Sequence, residues 1–452
     1  LRIVVLGAGP TGLGAAHRLR ELGHDDFVVL EANIEVGGLA RSFVDDAGFT
    51  FDVGGHVLFS HYGYYDRVVD AALADGFTEI VRDAWIWIED RFVPYPFQNN
   101  IKGLEPSTVL ECIMGLVEAQ RVPSTPPTNF SEWMEQTFGA GITKHFMRPY
   151  NFKVWATPAE LMGFGWIGER VSVVDLEAVV RHVVYDEAPA PWGPNDVFRY
   201  PLRGGTGTLC TRIAEPLLDR IEFGSAVTSV DLEARKVRTD DGRSFAYDRL
   251  LSTCPLNHLV ARAESAPDAV RRAAGDLTWS GSHIVGVGLD RPAASAKNWI
   301  YFPEPDVPFY RVTYLSNYSP YMTPAPDQTL FLAETSRSPH RQSDAATIVA
   351  DVVDGLVRTG LMTDDDRDLV LTGWRCSPDM SYPVPTIGRD EALDVIQPWL
   401  QAHDVWSRGR FGAWLYEIGN MDHSFMQGVE WVDHVLAGEP EITWSMRDPS
   451  GY

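Results

Sequence analysis

Ile3-Val4-Val5-Leu6-Gly7-Ala8-Gly9-Pro10-Thr11-Gly12 runs from four apolar residues through three glycines, and Leu13, Ala16, Leu19 and Leu22 then recur at helical spacing before Gly23. The pattern predicts a strand, a tight turn and a helix. Gly7 permits the turn, Gly9 lets the backbone approach a pyrophosphate, and Gly12 lets the helix pack on the strand with its N-terminus towards the anion. A second apolar run, Phe27-Val28-Val29-Leu30, ends at Glu31, nineteen residues after Gly12, where a carboxylate can accept ribose hydroxyls. An α/β dinucleotide-binding unit is therefore expected.

The stretch after Glu31 chooses between dinucleotides. Gly37-Gly38-Leu39-Ala40-Arg41-Ser42 brings another glycine pair and an arginine towards the same pyrophosphate. This resembles two-dinucleotide-fold flavoproteins, so FAD is expected over NAD. Gly54-Gly55 come after Phe49-Thr50-Phe51-Asp52-Val53, and glycine there allows close backbone approach to a flat ring, which places His56 near the isoalloxazine. Near the other end, Gly419-Asn420-Met421-Asp422-His423-Ser424 precedes Phe425, Val429, Val432 and Leu436, a helical stripe ending at Gly438. That helix N-terminus can stabilise negative charge on a reduced flavin, and a helix cap would by itself explain Asp422. The expected cofactor set is Gly7, Gly9, Thr11, Gly12, Glu31, Gly38, Leu39, Arg41, Gly54, Gly55, His56, Val227, Arg410, Gly419, Asn420, Met421 and Ser424.

Composition narrows the partners. With 452 residues, 45% of them hydrophobic, the chain can fill several cores. A formal net charge of −24 repels polyanions, so neither nucleic acid nor membrane is expected as a partner, and an anionic ligand needs a local cluster of arginines. No run of about 18 uncharged apolar residues occurs, and the opening Arg2-Ile3-Val4-Val5 reads as a strand, not a leader, so the expected location is cytoplasmic. Cys112, Cys210, Cys254 and Cys376 are far apart and form no C-x-x-C pair; they are expected to be buried thiols, with no metal site. No G-x-S-x-G, P-loop or H-E-x-x-H motif supplies a nucleophile or metal site, so the difficult chemistry falls to the cofactor.

In the middle of the chain, 102–178 reads as mainly helical, including Val109 to Val117 and the stretch around Trp133 and Phe138. Strands are expected at Ile221 to Val230, at Lys236 to Thr239 before an Asp240-Asp241-Gly242 turn, and at Leu250 to Thr253. An antiparallel sheet is expected from His283 to Leu289 and Phe309 to Tyr314, with loops at Pro123 to Pro127 and Pro189 to Pro194. The expected partition is a discontinuous Rossmann-like FAD domain (1–78, 197–278, 391–452), an inserted helical substrate domain (102–178) and an antiparallel sheet domain (79–101, 179–196, 279–390).

Polar aromatic strings are the remaining signal: Gly54 to Tyr62, Val93 to Asn100, Arg148 to Trp155, Trp166 to Arg170, Trp192 to Asn195, Tyr301 to Arg311, Asn317 to Tyr321, and Trp406 to Gly412 leading to Tyr416. Over essentially the whole chain these resemble the UDP-galactopyranose mutases of the eukaryotic type. The resemblance implies a redox-neutral interconversion of UDP-galactopyranose and UDP-galactofuranose, in which N5 of reduced FAD attacks the anomeric carbon and the nucleoside diphosphate leaves and returns. NADPH is the implied reductant. Arg170 and Arg311 would hold the diphosphate, Tyr301, Tyr382 and Tyr416 would donate to its oxygens, and Tyr95 and Gln98 would stack on and read the base. Asn151 and Trp155 would meet the nucleotide ribose, and Asn195, Asn420 and Arg410 would lie nearest the sugar and flavin. His56 joins the two arginines as catalytic, and the loop through Phe59 and His61 matches a segment that responds to flavin reduction.

Three departures from the family pattern stand out: Leu415 where a basic residue is expected, a shorter region after Tyr321, and little chain after Trp444. The first leaves the sugar open to another nucleotide sugar, and the others leave a homo-oligomer open. An amine-oxidase-like FAD oxidase shares the fold and the first motif.

Overall fold

The computed structural model describes residues 1–121, 125–168, 171–172, 174–185 and 196–446. Ile3–Leu6 is the middle strand of a five-stranded parallel sheet in the order Val405–Ser407, Arg249–Ser252, Ile3–Leu6, Phe27–Leu30, Ile221–Glu222. Its run of four apolar residues reflects burial on both faces. The pleat sends Ile3 and Val5 into the core shared with helices Pro10–Glu21 and Met421–Ala437. Val4 and Leu6 enter the opposite core, beneath Leu256–Arg262, Asp268–Gly275 and Arg389–Gln401. The first and last long helices touch backbone to backbone: a Cβ on Gly428 would fall 2.0 Å from the carbonyl oxygen of Thr11. Both ends of the cofactor motif are thereby brought together.

A larger, mostly antiparallel sheet runs in the order Val370–Cys376, Trp279–Leu289, Thr329–Arg337, Arg311–Tyr314, Trp299–Tyr301, Ala84–Ile88, Arg91–Pro94. Alternation sorts its side chains. Val285, Val287, Ile300, Val312, Phe331 and Ala333 pack on helix Ile348–Arg358, whereas Ile284, Trp299, Leu330 and Leu332 face the other way, onto Phe49 and Phe51. By the same parity Arg311 and Glu334 fall on that second face, which looks towards the parallel sheet. Helices Pro106–Arg121, Phe130–Ile142 and Arg148–Trp155 form a third cluster with Phe97, Trp166 and Val384.

Two expectations are corrected. The helix Leu176–Tyr185 runs through the boundary expected at 178, because Val179 and Val183 pack into the helical cluster. The strand expected over Ile221 to Val230 is two strands, Ile221–Glu222 and Val227–Asp231, interrupted where Gly224 adopts a φ of 61°. The Asp240-Asp241-Gly242 turn does join antiparallel strands, Lys236–Thr239 and Ser244–Ala246. Pro123 and the Pro189 to Pro194 stretch lie outside the described residues. Cys112 and Cys210 are buried, but Cys254 and Cys376 are only half-buried; all four are free thiols. Among the described residues no helix is long and apolar enough to cross a membrane.

Asp52 joins the two sheets' supports. It is fully buried, and its carboxylate accepts from the Ser42 hydroxyl at 2.6 Å, the Tyr200 hydroxyl at 2.6 Å, and the Thr206 amide and hydroxyl at 3.0 and 2.9 Å. Asp52→Ala strands four donors at once and should destabilise the protein by about 3–5 kcal/mol, read as a lower denaturant midpoint; a loss under about 1 kcal/mol would refute the assignment.

Candidate active site

The carboxyl ends of the parallel strands, the loop from Gly54 to Tyr62 and the second face of the large sheet enclose a cavity of about 590 Å³. Gly7 turns with a φ of 97°, and its N–H donates to Leu30 O at 2.8 Å, so the chain leaves the strand directly into the cavity wall. Helix Pro10–Glu21 starts at Gly9 and helix Met421–Ala437 at Asn420, neither with a side-chain cap, and both starts line the cavity. Two uncapped helix N-termini offer N–H groups and positive potential to an anionic ligand. Every residue of the expected cofactor set lines this cavity except Gly12, which sits behind it: a Cβ there would lie 1.9 Å from Gly7 O. Glu31 accepts the Ala8 N–H at 2.7 Å on one oxygen and the Asn33 backbone and side-chain N–H groups at 2.9 and 2.7 Å on the other, which fixes its carboxylate in the wall.

Across the sheet, register builds a polar row. Tyr301 pairs with Arg311, and Arg311 pairs with Glu334. Arg311 Nε donates to Glu334 Oε1 at 2.6 Å and Nη2 to Gly55 O at 3.3 Å, while Gly55 N–H donates to the same Oε1 at 3.2 Å. The Tyr310 hydroxyl donates to Glu334 Oε2 at 2.8 Å and lies 3.1 Å from the Tyr382 hydroxyl. Burial alone would raise the Glu334 pKa, but the Arg311 charge and the Arg311, Tyr310 and Gly55 donors outweigh it and hold the carboxyl below its ordinary value. For His56 burial wins, and its pKa is lowered despite the nearby Asp52 and Glu334 charges. The imidazole is thus neutral at physiological pH, and its buried Nδ1 has no hydrogen-bond partner among the described residues. Arg410 Nε donates to Ser381 O at 3.0 Å, and its guanidinium lies 4.9 Å from the Tyr382 ring centroid and 5.5 Å from that of Tyr416.

Of the expected substrate residues, Arg311, Tyr382, Tyr416 and Asn420 line the cavity. Tyr95 and Tyr301 stand beside it as a tilted pair, 4.9 Å between centroids. Three others are drawn into packing. Trp155 is buried, edge-on to Tyr416 and Tyr382 at 4.7 and 5.8 Å, so its indole backs the two tyrosines and does not line the cavity. Asn151 donates to Met147 O one helical turn back, at 2.7 Å. Gln98 is buried and donates to Ser172 O at 2.8 Å, which leaves only its amide oxygen without a partner among the described residues. Leu415 is buried in the core with Trp414 and Phe411 and does not line the cavity. Arg170 and Asn195 lie outside the described residues.

Asp422, for which a helix cap is the alternative to a cofactor role, lies in the first turn after Asn420 and lines the cavity; its carboxylate takes His61 Nδ1 at 2.7 Å and His61 N–H at 3.2 Å. Tyr62 meets His423 Nδ1 at 2.8 Å, so the loop is clamped onto the first turn of the last helix. His61, Asp422 and His423 are close enough for a metal, but the two imidazoles stack at 22° and 4.8 Å, and near-parallel rings cannot both point their in-plane lone pairs at one ion.

Residues 10–411 match the flavin-containing amine oxidoreductase family. A crystal structure of a reduced UDP-galactopyranose mutase is 41% identical over 100% of this chain and 97% of that one, with a TM-score of 0.96. The chain belongs to the flavin-containing amine oxidoreductase family, and within it to the UDP-galactopyranose mutases. The fold is shared at low identity with putrescine oxidase bound to putrescine, which is 15% identical over 96% of this chain and 99% of that one, with a TM-score of 0.63. A 4,4'-diapophytoene desaturase of Staphylococcus aureus (strain bovine RF122 / ET3-1) is 41% identical over 66 residues, which span 15% of this chain and only 13% of the desaturase's length.

FAD is the cofactor of this family, and the residues present fit it. Gly9 and Gly38 face each other across a cradle, a Cβ on Gly9 lying 3.9 Å from the Gly38 Cα, beside an uncapped helix start and the Glu31 carboxylate. Sequence reasoning missed Glu334 and Asp52. Each had a readable signal, an acid inside an otherwise apolar run: Leu330-Phe331-Leu332-Ala333-Glu334 and Phe49-Thr50-Phe51-Asp52-Val53.

Proposed function

We propose that this flavoenzyme interconverts the pyranose and furanose rings of a nucleotide sugar without net redox change, with UDP-galactopyranose and UDP-galactofuranose as its pair and NADPH as the reductant that readies the flavin. The observation that carries the reading is Arg311, held against Gly55 on the loop that walls the flavin cavity, in a chain 41% identical to a UDP-galactopyranose mutase along its length. When bound, reduced FAD supplies a nucleophile for the anomeric carbon. The chain's own residues position and stabilise charge. Arg311, joined by Arg170, holds the diphosphate within return distance of the sugar. Tyr416 and Tyr301 add hydroxyl donors beside it, Tyr95 serves the base, and Asn195 and Asn420 serve the sugar. The neutral His56 can accept or donate a single proton at the flavin-facing loop.

Anaerobic incubation of the dithionite-reduced protein with UDP-galactofuranose, followed by chromatography of the two ring forms, tests this. Conversion by reduced but not oxidised protein is expected. No conversion by a flavin-loaded, reducible sample would exclude this sugar, and oxygen consumption with an amine substrate would favour an oxidase.

A further inference from the structure

The turn at 415–420 carries cavity residues on one side and an ion pair on the other. Tyr416, Gly419 and Asn420 line the cavity, whereas Glu417, within the same short 3-10 helix Tyr416–Ile418, points away from it and meets Arg389. Arg389 Nη1 and Nη2 donate to Glu417 Oε2 and Oε1 at 2.9 and 2.8 Å, and the two side chains are only 6% and 13% exposed. Neither lines the cavity, and the nucleotide-sugar reading above gives neither a task. We infer that Arg389 and Glu417 are positioning residues for the reaction: their two-bonded pair fixes the rotation of the turn and thereby the reach of the Tyr416 hydroxyl towards the diphosphate. The inference rests on that reading and deepens it.

Arg389 sits where its own helix has least use for a cation. It is the first residue of Arg389–Gln401, and the aligned peptide dipoles at a helix start repel positive charge. Asp390 takes its Nε at 2.8 Å but is itself largely exposed; the buried partner is Glu417. What the arginine does for the turn explains its place better than what it does for the helix. The turn needs such a hold because its other supports leave one motion open. Leu415 and Ile418 are buried in the core, and Ile418 O accepts from Gln427 Nε2 at 2.8 Å. Trp155 and Trp166 meet the Tyr416 ring edge-on, at 4.7 and 5.6 Å between centroids. These contacts set the plane of the ring, but apolar packing is non-directional and does not stop it sliding along its long axis, the motion that advances or withdraws the hydroxyl. A planar guanidinium on a carboxylate does resist, because two bonds in one plane fix direction as well as distance. The clamped residue adjoins Tyr416, so a tilt of Glu417 passes directly to the phenol. A misplacement on the order of 1 Å can cost about a hundredfold in rate.

A double-mutant cycle separates positioning from plain support. Glu417→Gln keeps the size of the side chain and one acceptor oxygen but turns an amide N–H towards a guanidinium N–H, so one of the two bonds is lost. In the reduced holoenzyme with UDP-galactofuranose, E417Q should lower kcat per bound flavin at least about tenfold with KM within about threefold of wild type. Tyr416→Phe should also lower kcat at least about tenfold. Because Glu417 acts through the Tyr416 hydroxyl, the double variant should fall no more than about twofold below Tyr416→Phe alone. A pair that only supports the fold would lower the denaturation midpoint and leave kcat per bound flavin as in the wild type. Wild-type kcat in flavin-loaded E417Q, or a loss that appears again in full on the Tyr416→Phe background, overturns the inference. If E417Q does not fold, Arg389→Lys takes its place in the same cycle: it keeps the charge but cannot make two bonds from one planar fork, and the same outcomes decide. Wild-type protein that does not convert UDP-galactofuranose would overturn the functional reading and this inference with it, an outcome distinct from failure of the variants alone.

Discussion

Arg311→Ala is expected to lower turnover by at least about a hundredfold while the protein still binds yellow flavin, the scale of one lost transition-state charge contact. The cofactor should survive because the cradle around Gly7, Gly9, Gly38 and Glu31 lies on the parallel sheet, whereas Arg311 belongs to the other one. The fold should suffer as well. Truncation leaves the Glu334 carboxylate buried without its cation, a change that costs about 3–5 kcal/mol when one partner of a buried pair is removed. Arg311→Lys separates the two effects: it restores a positive charge near Glu334 but cannot grip Glu334 and a diphosphate with different nitrogens of one planar fork. Lys should therefore regain most of the lost stability and little of the lost rate. Measuring turnover, UDP binding and the denaturation midpoint on the same samples checks this, and near-normal rates in Arg311→Ala would remove Arg311 from the chemistry.

Gly12→Val should abolish flavin binding outright. The new Cβ would lie 1.9 Å from Gly7 O and 3.4 Å from a Val5 methyl, contacts that no rotamer relieves because the first is with backbone. Either the helix moves off the strand or the Gly7 turn opens, and both displace the helix N-terminus that lines the cavity. Since that helix also packs on Met421–Ala437, with Gly14 against Phe425 O, the second helix that lines the cavity should move with it. A destabilisation of about 3 kcal/mol or more and a colourless purified protein are expected. A yellow protein of normal stability would show that the turn tolerates a side chain and that Gly12 is not part of the cradle.

Much of the site was legible because its parts are local. The Gly7 turn, the uncapped helix starts at Gly9 and Asn420, and the Glu31 carboxylate at the end of its strand are requirements that neighbouring residues place on one another's backbone. Arg311 stood out for a different reason: an acidic chain needs arginines for an anionic ligand, and the family resemblance said which ones. Asn151, Trp155 and Gln98 were less well read. An amide or indole looks the same in a sequence whether it meets a ligand or a nearby carbonyl, and here a helical turn, two tyrosine rings and the Ser172 carbonyl took them up.

By itself the sequence determined the dinucleotide-binding fold, FAD as its cofactor and an arginine in the cavity wall. Only the tertiary structure decided that Glu334 divides its oxygens between Arg311 and Tyr310, that Asp52 gathers Ser42, Tyr200 and Thr206, and that Asp422 clamps His61. The physical reason is strand register and helix docking. Which residues become cross-strand neighbours depends on how whole apolar faces are buried, and a slip of one position would turn Glu334 to the opposite side of the sheet. Contacts between residues 154 or 361 positions apart, such as Asp52 with Thr206 and His61 with Asp422, come into being only when those faces close.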